Sequence, residues 1–366
     1  MPIAAPTAPA NDKRPYDEER LQREPVPRRS SWPRKYLRFP RPRRVVVCLL
    51  LIDLIIVGLV VRSFEPLITL LRRNEELFGS RLVLSRDAPH DADHHTGRHT
   101  IPRILHQTCA NETIPEKWAA PQQSCKDTYS DFEYKLWTDK SARDFISSEY
   151  PWFTETWDNY AFPIQRADAI RYFILYHFGG IYLDMDTQCN ETIPLHQIES
   201  DNTMHHAVFK STTPTGVSND LMISSPRHPL FAATISKLLP WYDFTHLWAR
   251  LQPYCAIMIS SGPFFLTMAI KNYLLEQPSL PSPTVQVVNA TILAPYITDL
   301  ESASWHKGDA KALMWVGTHQ WVWFTLGGMG LVAGLLVINQ GLLLAYRGVL
   351  RRVPSVAYNM KAAKLT

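Results

Sequence analysis

Two carboxylates, Asp184 and Asp186, stand at i and i+2 where the apolar run IYL gives way to polar residues. Like charges held this close repel unless a cation lies between them. Hard oxygen donors suit a divalent ion such as manganese or magnesium that also binds phosphate oxygens. The bare Asp-x-Asp triplet carries little information, whereas its setting here (helix, Gly-Gly, strand, Asp-x-Asp) is specific. In the preceding helix, Asp168 and Arg171 lie three residues apart and share one face. On residue type alone the two read equally well as a surface ion pair of little weight or as a fixed acceptor and forked donor for sugar hydroxyls.

These groups need elements to position them, and the sequence supplies the signals. IPRILHQ suits a first strand and residues 132–137 (FEYKLW) alternate as a second. Thr138 and Asp139 then offer an N-cap to the helix SARDFISSEYP. PIQRADAIRYFILYHFGG has Pro163 near its start, Ile164, Ala167, Ile170 and Ile174 on one side, and Gly179-Gly180 just past its end. The strand IYLDMD follows. Strands alternating with helices predict an α/β fold built on a mixed sheet, with ligands at the carboxyl ends of the strands.

The surroundings of this core are apolar or basic. Residues 45–61 form a 17-residue run with one charge, Asp53, and residues 321–346 form a second, uncharged run with aromatic residues near its ends. Both read as membrane spans, the first as an uncleaved signal anchor. Residues 1–44 carry twelve basic residues against five acidic ones, and the tail from Arg347 carries five basic residues and no acid. The positive-inside bias therefore predicts two cytoplasmic termini and a lumenal middle. Asn-x-Thr triplets at Asn111, Asn190 and Asn289 all fall in that middle, as do Cys109, Cys125, Cys189 and Cys255, whose three possible pairings sequence does not distinguish. The expected organisation is a disordered basic cytoplasmic arm over 1–44, a transmembrane helix over 45–61, a stem over 62–99, a globular domain over 100–318, a second transmembrane helix over 319–346 and a cytoplasmic tail over 347–366. With 366 residues and 46% hydrophobic content the chain has room for one large or two modest cores, which excludes a disulfide-stapled miniprotein and a wholly disordered chain. The basic arm suits anionic lipid; a nucleic-acid partner is not expected. The His-rich stretch DAPHDADHHTGRHT lacks ligand spacing and reads as a solvated linker.

IPRILHQT, YKLWTD, FPIQRADAIRYFILYHFGGIYLDMDTQC, GVSNDLM, SSGPFFLT and SASWH, in this order, resemble glycosyltransferase family 32, and within it the fungal synthases that mannosylate inositol-phosphoceramide. The resemblance spans residues 101–309. It implies a GT-A fold, manganese (or magnesium) as cofactor, and transfer of mannose from GDP-mannose to inositol-phosphoceramide at the Golgi membrane with retention at the anomeric carbon. It further implies that Asp184 and Asp186 hold the metal and diphosphate, and that Asp168 and Arg171 hold the donor sugar. His106 and Gln107 match the region that meets the nucleotide. Asn219 and Asp220 match a block near the reacting centre, with Asp220 a positioning group first and a base or nucleophile second. Trp305 and His306 match a C-terminal loop that closes on metal and diphosphate, although SASWHKGD departs from the family pattern before Ser-Trp-His.

The resembled enzymes act with a multi-span regulatory membrane subunit. Asp53 within the first span and Gly330-x-x-x-Gly334 within the second suit such a partner. Two other readings stand beside this one. A family-32 transferase acting on N-glycans or another glycolipid would more commonly have a single anchor. A catalytically silent membrane adaptor would not need both aspartates.

Overall fold

The computed structural model describes residues 42–85, 100–199, 203–213, 215–300 and 320–352. Two compact units divide the chain, Met1–Asp53 and Leu54–Thr366. The described residues open with helices α1 (Pro42–Ser63), α2 (Glu65–Arg72) and α3 (Asn74–Phe78). Then come β1 (Ile104–Thr108), α4 (Glu116–Thr128), β2 (Glu133–Trp137), α5 (Asp139–Glu149), α6 (Thr154–Asn159), α7 (Pro163–Phe178), β3 (Gly180–Leu183) and β4 (Thr187–Cys189). The remainder is α8 (Leu195–Ile198), β5 (Ala207–Ser211), β6 (Val217–Ser224), α9 (Pro229–Thr245), α10 (Pro253–Ser260), α11 (Pro263–Leu275), β7 (Val285–Val288), α12 (Ala290–Leu293), β8 (Ile297–Asp299) and α13 (Gln320–Arg352).

Six strands form one mixed sheet in the order β2-β1-β3-β6-β5-β7, and β4 pairs with β8 in a separate ribbon. Parallel pairing joins β1 to β2 and β3, while β6 runs antiparallel to β3 and β5. This is the mixed α/β sheet expected from the sequence. Alternation sends successive side chains to opposite faces. Tyr182, Phe209 and Met222 join one core cluster with α7, α9 and α11, whereas Ile181, Leu183, Val208, Leu221 and Ile223 join the other beside Cys125 of α4.

Local signals set the elements that carry the site. Thr138 caps α5, accepting from the Ser141 amide while the Ser141 hydroxyl accepts from the Thr138 amide. Helix α7 opens with Pro163, and the Phe162 amide donates to Gln165 Oε1. It ends at Gly179 and Gly180, whose φ angles are +69° and +96°. A Cβ on Gly180 would lie 2.5 Å from the Ile104 carbonyl oxygen, so both the backbone angle and the close approach to β1 require glycine. Helix α7 differs from a one-sided amphipathic helix: residues 168–175 are all buried, because the helix lies between the sheet and α9 and α10.

Among the described residues, three helical stretches are long and apolar enough to cross a membrane: Arg43–Arg72, Pro253–Leu275 and Thr325–Val349. The first and last have apolar windows with no burial, as spans would. The middle one is 61% buried and is broken into α10 and α11 at Ser261 and Gly262, where the Tyr172 hydroxyl donates to the Ser261 carbonyl at 2.6 Å. It belongs to the globular core. Residues 65–85, within the expected stem, pack on the domain: Leu70, Leu77 and Phe78 are buried and Lys271 Nζ donates to the Pro66 carbonyl at 3.0 Å. The His-rich part of the stem lies outside the described residues.

Candidate active site

The carboxyl ends of β1 and β3, the middle of β6 and the N-terminal half of α7 meet around a cavity of about 870 Å³. Asp184, Asp186, Asp168, Arg171, Asn219 and Asp220 all line it. Helix α7 delivers Asp168 and Arg171, β3 ends one residue before Asp184, and β6 places Asn219 and Asp220 opposite. The backbone fixes the register, since the Asp184 amide donates to the Asp220 carbonyl at 2.9 Å.

Arg171 is the hub. Its Nη2 lies 3.1 Å from both Asp168 Oδ1 and Asp184 Oδ1. Its Nη1 donates to the Asn219 carbonyl at 2.8 Å and its Nε to the Ala167 carbonyl at 3.1 Å. The guanidinium also lies over the Tyr182 ring, 4.9 Å from its centroid. Asp168 and Arg171 are each 4% exposed, so the surface ion-pair reading does not hold. Because the donors of Arg171 are taken up by the protein, its role is to position carboxylates. Asp168 is additionally held by Asn219 Nδ2 at 3.0 Å. Asn219 sits within β6 and caps no helix.

A second relay reaches Asp184 from β1: the Thr108 hydroxyl contacts the Tyr182 hydroxyl, which donates to Asp184 Oδ1 at 2.7 Å. Burial pushes the Asp184 carboxyl up to about 7, Arg171 and Tyr182 opposing and the neighbouring Asp220 and Asp186 adding to it. Burial likewise raises Asp168 to about 6 against the pull of Arg171 and Asn219. Desolvation would lower Arg171, but Asp184, Tyr182 and Asp168 outweigh it, and the guanidinium is held charged.

His106 and Gln107, expected to meet nucleotide, are fully buried and do not line the cavity; Thr108, Cys109 and Ala110 do. His106 Nε2 lies 2.9 Å from the Gly179 carbonyl, and its Nδ1 accepts from Trp137 Nε1 at 3.1 Å. Both ring nitrogens are thereby engaged, and burial lowers the imidazole to about 4, keeping it neutral. Gln107 Oε1 accepts from the Tyr134 hydroxyl, and its Nε2 donates to the Asp184 carbonyl at 3.4 Å. These two residues support the cavity from behind, one or two positions short of its wall.

Sequence reading did not find Lys210, Tyr182 or Asp299. Lys210, at the end of β5, pairs with Asp220 Oδ2 and lies 3.0 Å from Asp299 Oδ2 of β8. Desolvation would lower the ammonium, and the two carboxylates raise it. Only the antiparallel β5–β6 pairing and the β4–β8 ribbon bring these groups together, so no local spacing announces them. The Leu300 amide, just after β8, donates to the Asp186 carbonyl at 3.1 Å. Trp305 and His306 lie outside the described residues.

The donors on the cavity wall suit a divalent cation in kind. Asp184 and Asp186 are hard carboxylates on one wall, and the buried Asp220 Oδ1 has no hydrogen-bond partner. Among the described residues no group of three or more His, Cys, Asp or Glu side chains is gathered as a metal cage. Two carboxylates with room left for phosphate oxygens and water fit the coordination that magnesium and manganese adopt with nucleotides.

A disulfide joins Cys125 of α4 to Cys189 of β4, across 64 residues of sequence. It ties the strand that follows Asp186 to the helix beneath it.

Residues 115–209 match the family model described as a glycosyltransferase sugar-binding region containing a DXD motif, which includes Asp168, Arg171, Asp184 and Asp186. The chain is 38% identical over 234 residues to inositol phosphoceramide mannosyltransferase 2 of Schizosaccharomyces pombe, covering 61% of this chain and 64% of that one. It is 41% identical over 225 residues to mannosyl phosphorylinositol ceramide synthase SUR1 of Saccharomyces cerevisiae, covering 60% of this chain and 55% of that one. It thus spans less than two thirds of the length of these curated relatives. Among solved structures, a PaToxG glycosyltransferase aligns with a TM-score of 0.33 and 14% identity, covering 48% of this chain and 70% of that one. The resemblance to glycosyltransferase family 32 and its inositol-phosphoceramide mannosyltransferases is borne out by the family model and the sequence relatives.

Proposed function

We propose that this chain transfers mannose from GDP-mannose to the inositol of inositol-phosphoceramide in sphingolipid synthesis, with retention at the anomeric carbon. The observation that carries this reading is the buried Asp168–Arg171–Asp184–Asn219 network forming one wall of a cavity within a DXD glycosyltransferase region. Relatives 38–41% identical are named for mannose transfer to inositol phosphoceramide, which supports both sugar and acceptor.

Asp184 and Asp186 would hold manganese or magnesium, which when bound supplies Lewis-acid stabilisation of the leaving diphosphate. Asp168, fixed by Arg171 and Asn219, presents a rigid acceptor to hydroxyls of the donor sugar. Asp168 is tied through Oδ1 to Arg171 and Asn219, and Asp220 through Oδ2 to Lys210, so both are held as positioning groups. Same-face attack therefore suits the site: the acceptor oxygen bonds to C1 as the C1–phosphate oxygen bond breaks. The departing phosphate oxygen takes the acceptor's proton. Asp220 positions the acceptor side of this exchange. The two exposed apolar helices support a Golgi membrane location with a lumenal domain, and the disulfide fits an oxidising compartment. A multi-span regulatory subunit is part of this reading.

The test incubates membranes containing the full chain with labelled GDP-mannose and phosphoinositol-ceramide, with and without manganese. Mannosylated lipid that disappears with chelator and in Asp184→Ala is the expected result. Undiminished product from a folded Asp184→Ala protein would overturn the assignment.

A further inference from the structure

We infer that residues 244–251 form a lipid-docking surface that seats the mouth of the cavity against the headgroup layer of a bilayer. The inference deepens the proposed function by naming the face through which a membrane-embedded acceptor enters. Phe244, Leu247 and Leu251 are 65%, 83% and 84% exposed. The segment is nonetheless held in shape. Thr245 and Ala249 are buried beneath it, the Thr245 hydroxyl donates to the Trp241 carbonyl at 2.9 Å, and Trp248 Nε1 donates to the Phe244 carbonyl at 2.7 Å. The Phe244 and Trp248 rings meet edge to face at 6.0 Å. Buried anchors alternating with outward Phe, Leu and Leu make a fixed apolar tip, which water disfavours and which a soluble surface rarely presents as a cluster.

The surrounding charges select the occupant. Asp243 is the sole acid from residue 229 to 275, against Lys237 and Arg250, with Lys271 buried against the Pro66 carbonyl. Arg250 and His246 are exposed within the tip itself. Leucine and aromatic side chains beside a few cations match the interfacial layer, where apolar tips enter the acyl boundary and cations meet phosphates. The chain also carries two apolar helices with no burial, one on each side of the domain in sequence, so a bilayer is the surface nearest at hand. The tip leads straight into the site: Pro253, Tyr254 and Ile257, a few residues on, line the cavity. Met204 and Val83 are comparably exposed but stand singly, and they serve as internal controls.

The experiment places the full chain in nanodiscs of phosphatidylcholine and phosphatidylserine doped with phosphatidylcholine bearing a diazirine on its acyl chain. Irradiation and peptide mapping should place label on residues 244–251 as well as on the apolar helices, and not on Met204 or Val83. Label confined to the helices overturns the inference, as does crosslinking of 244–251 to another polypeptide in place of lipid. Leu247→Asp combined with Leu251→Asp, both on exposed positions, should reduce label at the tip by tenfold or more. The same pair should raise KM for bilayer-embedded phosphoinositol-ceramide about tenfold, leaving kcat and the KM for GDP-mannose unchanged. KM for a short-chain, monomeric acceptor should not move; an equal rise for both acceptors would overturn the docking role. The label reads docking without turnover, so a chain that docks yet transfers no mannose would retain this inference and refute the proposed function.

Discussion

The two walls of the cavity are built on opposite principles. One, formed by Asp168, Arg171, Asp184 and Asn219, is charged, mostly buried and cross-bonded through Arg171, which meets each of the other three. The other, which includes Pro163, Ile164, Pro253, Tyr254 and Ile257, is apolar and continues into the exposed tip at 244–251. Helix α7 contributes to both, its first turn to the apolar wall and its next to the charged one. The contrast fits the two unlike substrates of the proposed function: a charged, polar donor would be met by preorganised dipoles that do not rearrange, and a lipid acceptor by a surface that asks only for apolar contact.

Breaking the charged wall should have the largest effect. Arg171→Ala leaves the buried Asp168 and the partly exposed Asp184 without their cation, and removal of one partner from such a cluster costs about 3 kcal/mol. Transfer should fall by about three orders of magnitude or more, and the unfolding midpoint should drop in parallel. Arg171→Lys restores charge but not the fork and should recover stability more than activity. Full activity in Arg171→Lys would show that geometry at this wall matters less than charge.

Loosening the frame comes next. The Cys125–Cys189 bridge closes a 64-residue separation, for which loop-closure entropy gives about 4 kcal/mol. Reduction, or Cys125→Ser with Cys189→Ser, should lower chemical-denaturant stability by a figure of that order and soften β4 beside Asp186. An unchanged midpoint would mean that the bridge adds nothing to the charged wall.

Acid should reach the support behind that wall. His106 falls from an ordinary value of 6.5 to about 4 in the folded chain, so between those limits the unfolded chain binds more protons. Its contribution is fully present above pH 6.5 and is lost as pH falls toward 4, amounting to about 3 kcal/mol at the low end. Because Asp168 and Asp184, raised to about 6 and about 7, take up protons on folding and act in the opposite sense, the check compares unfolding of the chain and of His106→Gln at pH 7 and pH 4.5: an equal change with pH in both would place His106 in a wetter setting than the Gly179 and Trp137 contacts describe.

The apolar wall should be the most forgiving. Ile257→Val removes one methylene from a surface that recognises shape only loosely, so KM for the lipid acceptor should change by less than threefold with kcat intact. A large fall in kcat would mean that this wall, too, works by exact placement of the reacting groups.

What could be seen in the sequence was whatever local chemistry marks. Thr138 with Asp139 announces the start of α5, and Pro163 with Gly179 and Gly180 both ends of α7, within a few residues, and the i, i+3 pair on α7 shows in the spacing alone. Lys210 and Asp299 were hidden because sheet order, not spacing, joins them to Asp220. His106 was misplaced because it lies two residues before Thr108 on the same face of β1, too deep in the sheet to reach the cavity, whose wall begins at the end of the strand with Thr108. The apolar stretch Pro253–Leu275 resembles a span by composition, and only its packing against α7 and α9 shows that it is core.

The bond from the Leu300 amide to the Asp186 carbonyl has a mechanical corollary. Leu300 directly follows β8, whose Asp299 meets Lys210, so the ribbon and the second aspartate of the motif are moored to each other. A shift of β8 would be transmitted to the Asp186 backbone through that single hydrogen bond. The placement of Asp186 and of the Lys210–Asp299 pair would then change together.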